Sequence, residues 1–301
     1  MKPLKWLHPR HWPTWIGLGF LRLAAHLPLP LSWWVGCGFG QALYYLYAPR
    51  RRIVLRNLAA CFPELTAPSR TRLAQRHFRA LGAASLTLGI GWWASNARQR
   101  RLTRYRNREV LDRVLAAQRP VILLAPHFIG LEIGGMRISQ DYPVVSMYKR
   151  AKNPLFDRYM RLGRERYGVV MVERSAELRP MVRLLRAGRP FYYLPDQDPG
   201  RRGSVFAPFF GIPTATVTAL GRIAQLADAL VIPCFTQQLP RGRGYEVIFK
   251  PPLENFPSGD AIKDATRMNA AIEEGVRDMP EQYFWVHKRF KTRPENAPAF
   301  Y

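Results

Sequence analysis

The sequence predicts an α/β protein with a mostly parallel sheet covered by helices on both faces. The first observation behind this prediction is a regular alternation of short apolar runs with helix-length segments along residues 108–279. The second is the run 121–125, which contains only apolar side chains, as a strand buried on both faces of a parallel sheet does. A chain of 301 residues is also long enough to bury a core of this size.

The predicted elements follow one another in a simple order. The strands are the apolar runs at 121–125, 144–148, 169–172, 191–194, 230–235 and 245–250. The helices are predicted at 108–118, from Gly130 onward, at 154–167, from Ser175 to Gly188, near 214–228 and at 260–279. Serine and glycine favour the beginning and the end of a helix, respectively. Residues 51–95 are also predicted to be helical, with a break at Pro63 and Pro68.

The N-terminal segment has an unusual charge pattern. Residues 23–49 contain no Lys, Arg, Asp or Glu, and the first acidic residue of the chain is Glu64. Pro28 and Pro30 divide this segment into two predicted helices, at about 14–27 and 31–48. The segment is rich in Trp and Tyr and is followed by three arginines, a pattern typical of the cytoplasmic flank of a membrane segment.

We therefore predict two parts, a membrane anchor in residues 1–50, spanning or re-entrant, and an α/β domain in residues 51–301. A buried N-terminal hairpin is the alternative to an anchor. A cleaved signal peptide is disfavoured, because the apolar region is too long and its aromatic side chains are too bulky.

The net charge indicates an anionic partner. The chain has 46 Lys and Arg against 21 Asp and Glu, a net charge of +25. Six arginines lie within residues 98–108, which predicts either a solvated basic face or a contact with anionic lipid headgroups. A nucleic-acid partner is not expected, since the chain has no zinc-finger, RNA-binding or basic-zipper pattern. The three cysteines are far apart and predict free thiols in a reducing compartment.

A histidine and a glutamate form the candidate catalytic pair. His127 follows the strand 121–125, at the edge of the sheet where open α/β folds bind ligands, and Glu132 comes five residues later. A neighbouring carboxylate can orient an imidazole and stabilise its charged form, which suits a general base. A helix-capping histidine is the alternative. Motifs of serine hydrolases, P-loop enzymes, dinucleotide-binding proteins and zinc proteases are absent, and no metal site is predicted.

Further charged residues follow the next strands and are predicted to bind substrate. Loops at the carboxyl ends of strands commonly carry binding residues, and an arginine can contact phosphate or carbonyl oxygens with two N–H groups. A solvated helix face and an ordinary turn are the alternatives for these positions. The predicted substrate-binding residues are Lys149, Arg150, Arg164, Asp196, Asp198 and Arg201.

Several short motifs contribute to a family resemblance that covers nearly the whole chain. They are His127-x4-Glu132, 164–168 (RERYG), 194–198 (LPDQD), 204–211 (SVFAPFFG), 231–233 (VIP) and 285–291 (WVHKRFK). With these motifs the sequence resembles the late (secondary) acyltransferases of lipid A biosynthesis, the lauroyl/myristoyl transferase group of the glycerolipid acyltransferase-like superfamily. The superfamily more often has Asp at position 132, whereas this group accepts Glu.

The resemblance implies a donor, an acceptor and a location. The donor would be a fatty acyl thioester of acyl carrier protein, a small acidic protein. The acceptor would be a hydroxyl of an anionic, Kdo-bearing lipid A precursor in the inner membrane, with the catalytic domain facing the cytoplasm and contacting inner-membrane lipids. No cofactor and no nucleic acid are implied.

The resemblance also implies roles for individual residues. His127 would take the proton of the acceptor hydroxyl, and Glu132 would orient His127, without an acyl-enzyme. Arg164 would contact a phosphate or the thioester oxygen, and Asp198 would help to order the cluster. Transfer to a lysophospholipid or another glycolipid, and a non-catalytic membrane lipid-binding protein, are the alternative functions.

Overall fold

A mixed sheet of seven strands forms the centre of the computed structural model, which describes residues 6–173 and 178–301. The strands of this sheet, together with those of a separate two-stranded sheet, are β1 (Thr103–Arg106), β2 (Val121–Leu124), β3 (Val145–Tyr148), β4 (Val170–Glu173), β5 (Phe191–Tyr193), β6 (Ser204–Phe209), β7 (Ile212–Val217), β8 (Leu230–Gln238) and β9 (Tyr245–Phe249). The sheet order is β1-β9-β8-β2-β5-β3-β4, and β6 and β7 form a separate antiparallel pair. Among the described residues, only β8 and β9 pair antiparallel within the sheet, so the predicted α/β fold with a mostly parallel sheet is confirmed.

Helices cover both faces of this sheet. They are α1 (Trp12–Ala24), α2 (Leu29–Leu46), α3 (Ala48–Cys61), α4 (Ala67–Trp93), α5 (Asn96–Leu102), α6 (Arg108–Ala116), α7 (Leu131–Ser139), α8 (Pro154–Glu165), α9 (Leu178–Arg186), α10 (Ala219–Ala227) and α11 (Ala261–Asp278). Side chains alternate between the faces of a strand. Ile122 and Leu124 of β2 therefore pack in one core with α9, α10 and α11, whereas Val121 and Leu123 pack in a second core with α6.

The two N-terminal helices lie against α4. They match the helices predicted from the proline break, and Pro28 directly precedes α2. Gly40 brings α2 close to α4, because a Cβ atom at this position would lie 1.9 Å from the carbonyl oxygen of Phe78. None of the helices in residues 6–173 and 178–301 is long and apolar enough to cross a membrane, so the predicted spanning segment is not found. The division into two parts at residue 50 stays a prediction.

The outer faces of α1 and α2 are apolar. Residues that point away from α4 recur at three- and four-residue steps, so they form one face of each helix. Their large exposed side chains are Trp12, Ile16, Phe20, Leu23, Leu31, Trp34, Val35, Phe39, Tyr45 and Leu46.

Two segments have a secondary structure that differs from the one predicted from the sequence, and a third prediction cannot be compared with the structure. The helix predicted near 214–228 begins only at Ala219, because residues 214–217 belong to β7. The arginine-rich segment 98–108 contains α5 and the edge strand β1, where Arg104 and Arg106 pair with Glu246 of β9. The predicted helix start at Ser175 lies outside the described residues.

Candidate active site

His127 meets a carboxylate at the carboxyl edge of the sheet. Leu124 and Tyr193 are paired residues at the ends of β2 and β5, and His127 and Asp196 each follow them by three positions. The distance between Nδ1 of His127 and Oδ1 of Asp196 is 2.6 Å, and the backbone N–H of His127 donates to Oδ2 of Asp196 at 2.9 Å. Asp196 is almost fully buried, with 1% of its surface exposed.

The environment of Asp196 keeps this residue charged. Burial raises the pKa of the Asp196 carboxyl, but the nearby charge of His127 and its two hydrogen bonds outweigh burial, so the pKa lies below its ordinary value. An ionised carboxylate accepts the Nδ1 proton of the ring, which leaves Nε2 of a neutral His127 as the basic nitrogen. The side chain of His127 is partly exposed and borders a cavity, so its ring is open to a ligand.

Glu132 has a different partner from the predicted one. Its carboxylate accepts two hydrogen bonds from Arg164, from Nε to Oε1 at 2.9 Å and from Nη2 to Oε2 at 2.6 Å, and a third from Nε1 of Trp92 at 3.2 Å. The sequence had predicted that Glu132 orients His127, yet the carboxylate on the histidine ring belongs to Asp196. The predicted catalytic role of Glu132 stays a prediction, and its contacts connect it to Arg164.

The pair of Glu132 and Arg164 is charged and partly buried, with 16% and 25% of the two side chains exposed. Burial raises the pKa of Glu132, but the charge and hydrogen bonds of Arg164, with the hydrogen bond of Trp92, outweigh it and lower the pKa below its ordinary value. Burial lowers the pKa of Arg164, and the charge of Glu132 and its hydrogen bonds reverse this effect, so the pKa of Arg164 is raised. A bidentate pair of this kind holds a guanidinium in one orientation.

A cavity of about 490 Å³ connects the two pairs. His127, Glu132 and Arg164 contribute polar groups to its wall. Most of the other lining side chains are apolar, which suits a hydrocarbon chain better than a polar substrate. The apolar lining residues are Leu131, Met136, Val144, Met147, Met160, Val169, Met171, Leu178, Leu194, Val217 and Ala219.

The remaining predicted binding residues are spread around the cavity. Lys149 lines the cavity, whereas Arg150 is exposed and pairs with Glu173. Arg201 is exposed, and it is the next residue, Arg202, that lines the cavity. The sequence predicted Arg201 and not Arg202 as the substrate-binding arginine of this loop, and the binding role of Arg201 stays a prediction.

Asp198 orders the loop that contains Asp196. It accepts hydrogen bonds from the backbone N–H groups of Gly200 at 2.9 Å and Thr292 at 2.6 Å, and from the Thr292 hydroxyl at 2.8 Å. The backbone N–H of Asp198 donates to Nε2 of His287 at 3.0 Å. Burial lowers the pKa of His287 to about 4, so this ring stays neutral and can accept the hydrogen bond. Sequence reasoning had included His287 in a family motif without giving it a role.

The fold and the site define an α/β enzyme with a histidine–aspartate pair and an arginine on a mainly apolar cavity. The model of the bacterial lipid A biosynthesis acyltransferase family matches residues 2–292. The chain is 36% identical to a lipid A biosynthesis lauroyltransferase of Escherichia coli (strain K12), over 98% of this chain and 96% of the relative. It is 34% identical to the palmitoleoyltransferase of the same strain, over 99% and 97%, and 30% identical to its myristoyltransferase, over 95% and 89%. The chain therefore belongs to the bacterial lipid A biosynthesis acyltransferase family, and it is an acyltransferase.

Proposed function

We propose that this protein transfers a fatty acyl chain from the thioester of acyl carrier protein to a hydroxyl of a Kdo-bearing lipid A precursor. The observation that carries the proposal is the hydrogen-bonded pair of His127 and Asp196 on the wall of a mainly apolar cavity. A base at such a position can activate a hydroxyl beside the carbonyl end of a bound acyl chain. The relatives named above, which act in lipid A biosynthesis, support the choice of acceptor.

His127 is the base in this mechanism. Its Nε2 atom takes the proton of the acceptor hydroxyl while the hydroxyl oxygen attacks the thioester carbonyl carbon. The carbon–sulfur bond of the resulting tetrahedral intermediate then breaks, and the departing thiolate takes the proton back from the imidazolium. Asp196 holds the ring in the required tautomer and stabilises its charged form, so no acyl-enzyme is needed.

Arg164 is the electrophilic group in this mechanism. Nε and Nη2 of Arg164 are bound to Glu132, which leaves Nη1 for the oxygen of the thioester carbonyl or for a phosphate of the acceptor. Glu132 then contributes to catalysis by orienting Arg164. This role replaces the orientation of His127 that the sequence suggested for Glu132.

The acceptor lipid would be reached from the cytoplasmic face of the inner membrane. The exposed apolar faces of α1 and α2 support binding to the membrane interface, as does the lack of acidic residues before Glu64. Trp15 of α1 contacts Tyr159 of α8, and α8 also contributes Met160 and Arg164 to the cavity wall. Lipids bound by α1 would therefore lie beside a helix of the active site.

Acyl transfer with purified components tests the function. Dodecanoyl-acyl carrier protein is the donor, a Kdo-bearing lipid A precursor with a free 3-hydroxyacyl hydroxyl is the acceptor, and mass spectrometry measures the product. We expect transfer by the wild type and a loss of about 10²–10⁴-fold in kcat for His127→Ala, because a general base contributes about that much. Equal membrane association and an equal melting temperature for this variant would exclude unfolding as the cause.

Two results would contradict the proposal. Near-normal transfer by His127→Ala would remove the base from this site. Transfer by the wild type to a lysophospholipid, with none to the lipid A precursor, would instead favour the alternative acceptor.

A further inference from the structure

One face of α9 is formed by exposed arginines. Arg179, Arg183 and Arg186 occur at steps of four and three residues, so they share one side of the helix, and all three are exposed. Met181 and Leu185, on the opposite side of the helix, are fully buried in the core. The helix is therefore anchored by its apolar side and presents a row of positive charge to its surroundings.

The neighbouring helix α10 extends this basic face. Nη2 of Arg186 donates to the carbonyl oxygen of Leu226 at 2.7 Å and so joins the last turns of the two helices. Arg183 precedes Arg186 by about one helical turn, and the exposed Arg222 precedes Leu226 by about one turn. Arg183 and Arg222 are therefore at a similar distance from the point where the two helices are joined. We call Arg179, Arg183 and Arg222 the α9–α10 arginine face.

The positive charge of this face is not compensated by acidic side chains in the part of the chain that the structure describes. Neither α9 nor α10 contains an acidic residue, and within the described ranges no acidic side chain pairs with Arg179, Arg183 or Arg222. In contrast, Arg161 and Arg164 of α8 are paired with Glu165 and Glu132. Unpaired charge on a surface is available to an anionic partner.

The α9–α10 arginine face lies beside the cavity. Leu178 and Ala219, the first residues of the two helices, line the cavity wall. At a rise of about 1.5 Å per residue, Arg183 lies roughly 8 Å and Arg222 roughly 5 Å further along the helix axes. Both distances are within the Debye length of about 10 Å at 0.1 M salt, so the charges act on a molecule that is bound at the cavity.

Helix α1 and helix α9 pack in different clusters of the core. Met181 and Leu185 pack in the core that contains Ile122 and Leu124 of β2, so α9 covers that face. Leu18 of α1 packs in a different cluster, with Leu155 of α8 and Met136 of α7. The contacts of α1 are thus separate from those of α9, whereas Tyr44 of α2 belongs to the same core as α9.

We infer that the α9–α10 arginine face is the docking surface for the acidic carrier protein that brings the acyl thioester. This inference rests on the proposed function. The carrier protein binds the unpaired arginines, and its acyl thioester enters the cavity between Leu178 and Ala219.

A pair of charge reversals with a matched control tests this inference. The test variant is Arg179→Glu/Arg183→Glu, and the control is Arg72→Glu/Arg76→Glu on α4, an exposed pair at the same four-residue spacing with the same change in charge. Each protein is assayed with dodecanoyl-acyl carrier protein and with the dodecanoyl thioester of pantetheine, which has no protein part. We expect kcat/KM for the carrier-protein donor to fall about 10-fold or more in the test variant only, through a higher KM. With the pantetheine donor, both variants should match the wild type.

Each other outcome has a definite meaning. An equal loss in the test and control variants would overturn the inference, because net charge alone would then act. A test variant that loses activity with both donors would show that α9 supports the site and not the carrier protein. Weaker binding of the test variant to phosphatidylglycerol vesicles, with an unchanged KM for the carrier protein, would assign the arginines to the membrane. If the wild type transferred the acyl chain from neither donor, the proposed function itself would fail.

Discussion

The replacement Asp196→Asn tests whether Asp196 is the partner of His127. The carboxylate of Asp196 accepts two hydrogen bonds, one from Nδ1 of the ring and one from the backbone N–H of His127. An asparagine at this position has a similar shape but only one oxygen acceptor. It therefore cannot satisfy both donors.

The backbone N–H of His127 determines the orientation of the asparagine amide in this variant. This group is always a donor, so the asparagine oxygen faces it and the NH2 group faces Nδ1. An NH2 group at Nδ1 requires a lone pair there and moves the ring proton to Nε2, the atom that should act as the base. The equivalent change in a serine protease reduces kcat by about 10⁴-fold. We expect a loss of about 10³–10⁴-fold here, or roughly 4–5 kcal/mol in activation free energy.

The assay is acyl transfer from dodecanoyl-acyl carrier protein at several pH values. A wrong tautomer is as unreactive at high pH as at low pH, so the loss should persist across the profile. Asp264→Asn is the control, since Asp264 is also buried and accepts two hydrogen bonds from Ser258 but does not line the cavity. It should lower stability and leave kcat unchanged. An Asp196→Asn variant within 10-fold of the wild type would refute the assignment of Asp196 to His127.

Two further predictions concern Arg164 and a buried histidine. Arg164→Lys keeps the charge but loses the bidentate contact with Glu132, so kcat should fall about 10²-fold while the variant remains folded, and wild-type activity would contradict this role. His77 is fully buried, and burial lowers its pKa to about 4, below the ordinary value of 6.5. The unfolded chain thus takes up the proton first as the pH falls through 6.5, and the protein loses about 2 kcal/mol of stability between pH 7 and pH 5 from this residue. Urea unfolding of His77→Asn, which can still donate to the carbonyl of Glu281, should lack this part of the pH dependence, and equal pH slopes in both proteins would contradict it.

Local patterns were sufficient to predict much of the fold. Apolar runs gave the buried strands β2, β3, β5 and β8, and a proline separated the two N-terminal helices. The edge strand β1 was missed because its charged residues Arg104 and Arg106 lie on an exposed edge and find their acidic partner, Glu246, on β9. The hairpin of β6 and β7 was also missed, since Pro208 and Pro213 are unusual in strands and are tolerated here as direct partners in an isolated two-stranded sheet.

The partner of His127 depends on which strand lies beside β2, and no local pattern specifies this neighbour. The chain passes from β2 to β3 and β4 and then returns, so that β5 lies between β2 and β3. If β2 had paired with β3, the residue three positions beyond the last strand residue would be Ala151, which has no carboxylate. Because β5 is the neighbour, the same count beyond Tyr193 gives Asp196. Glu132 is then free to bind Arg164 of α8, the crossover between β3 and β4. The sheet order thus gives one carboxylate to the histidine and the other to the arginine on the wall of the same cavity.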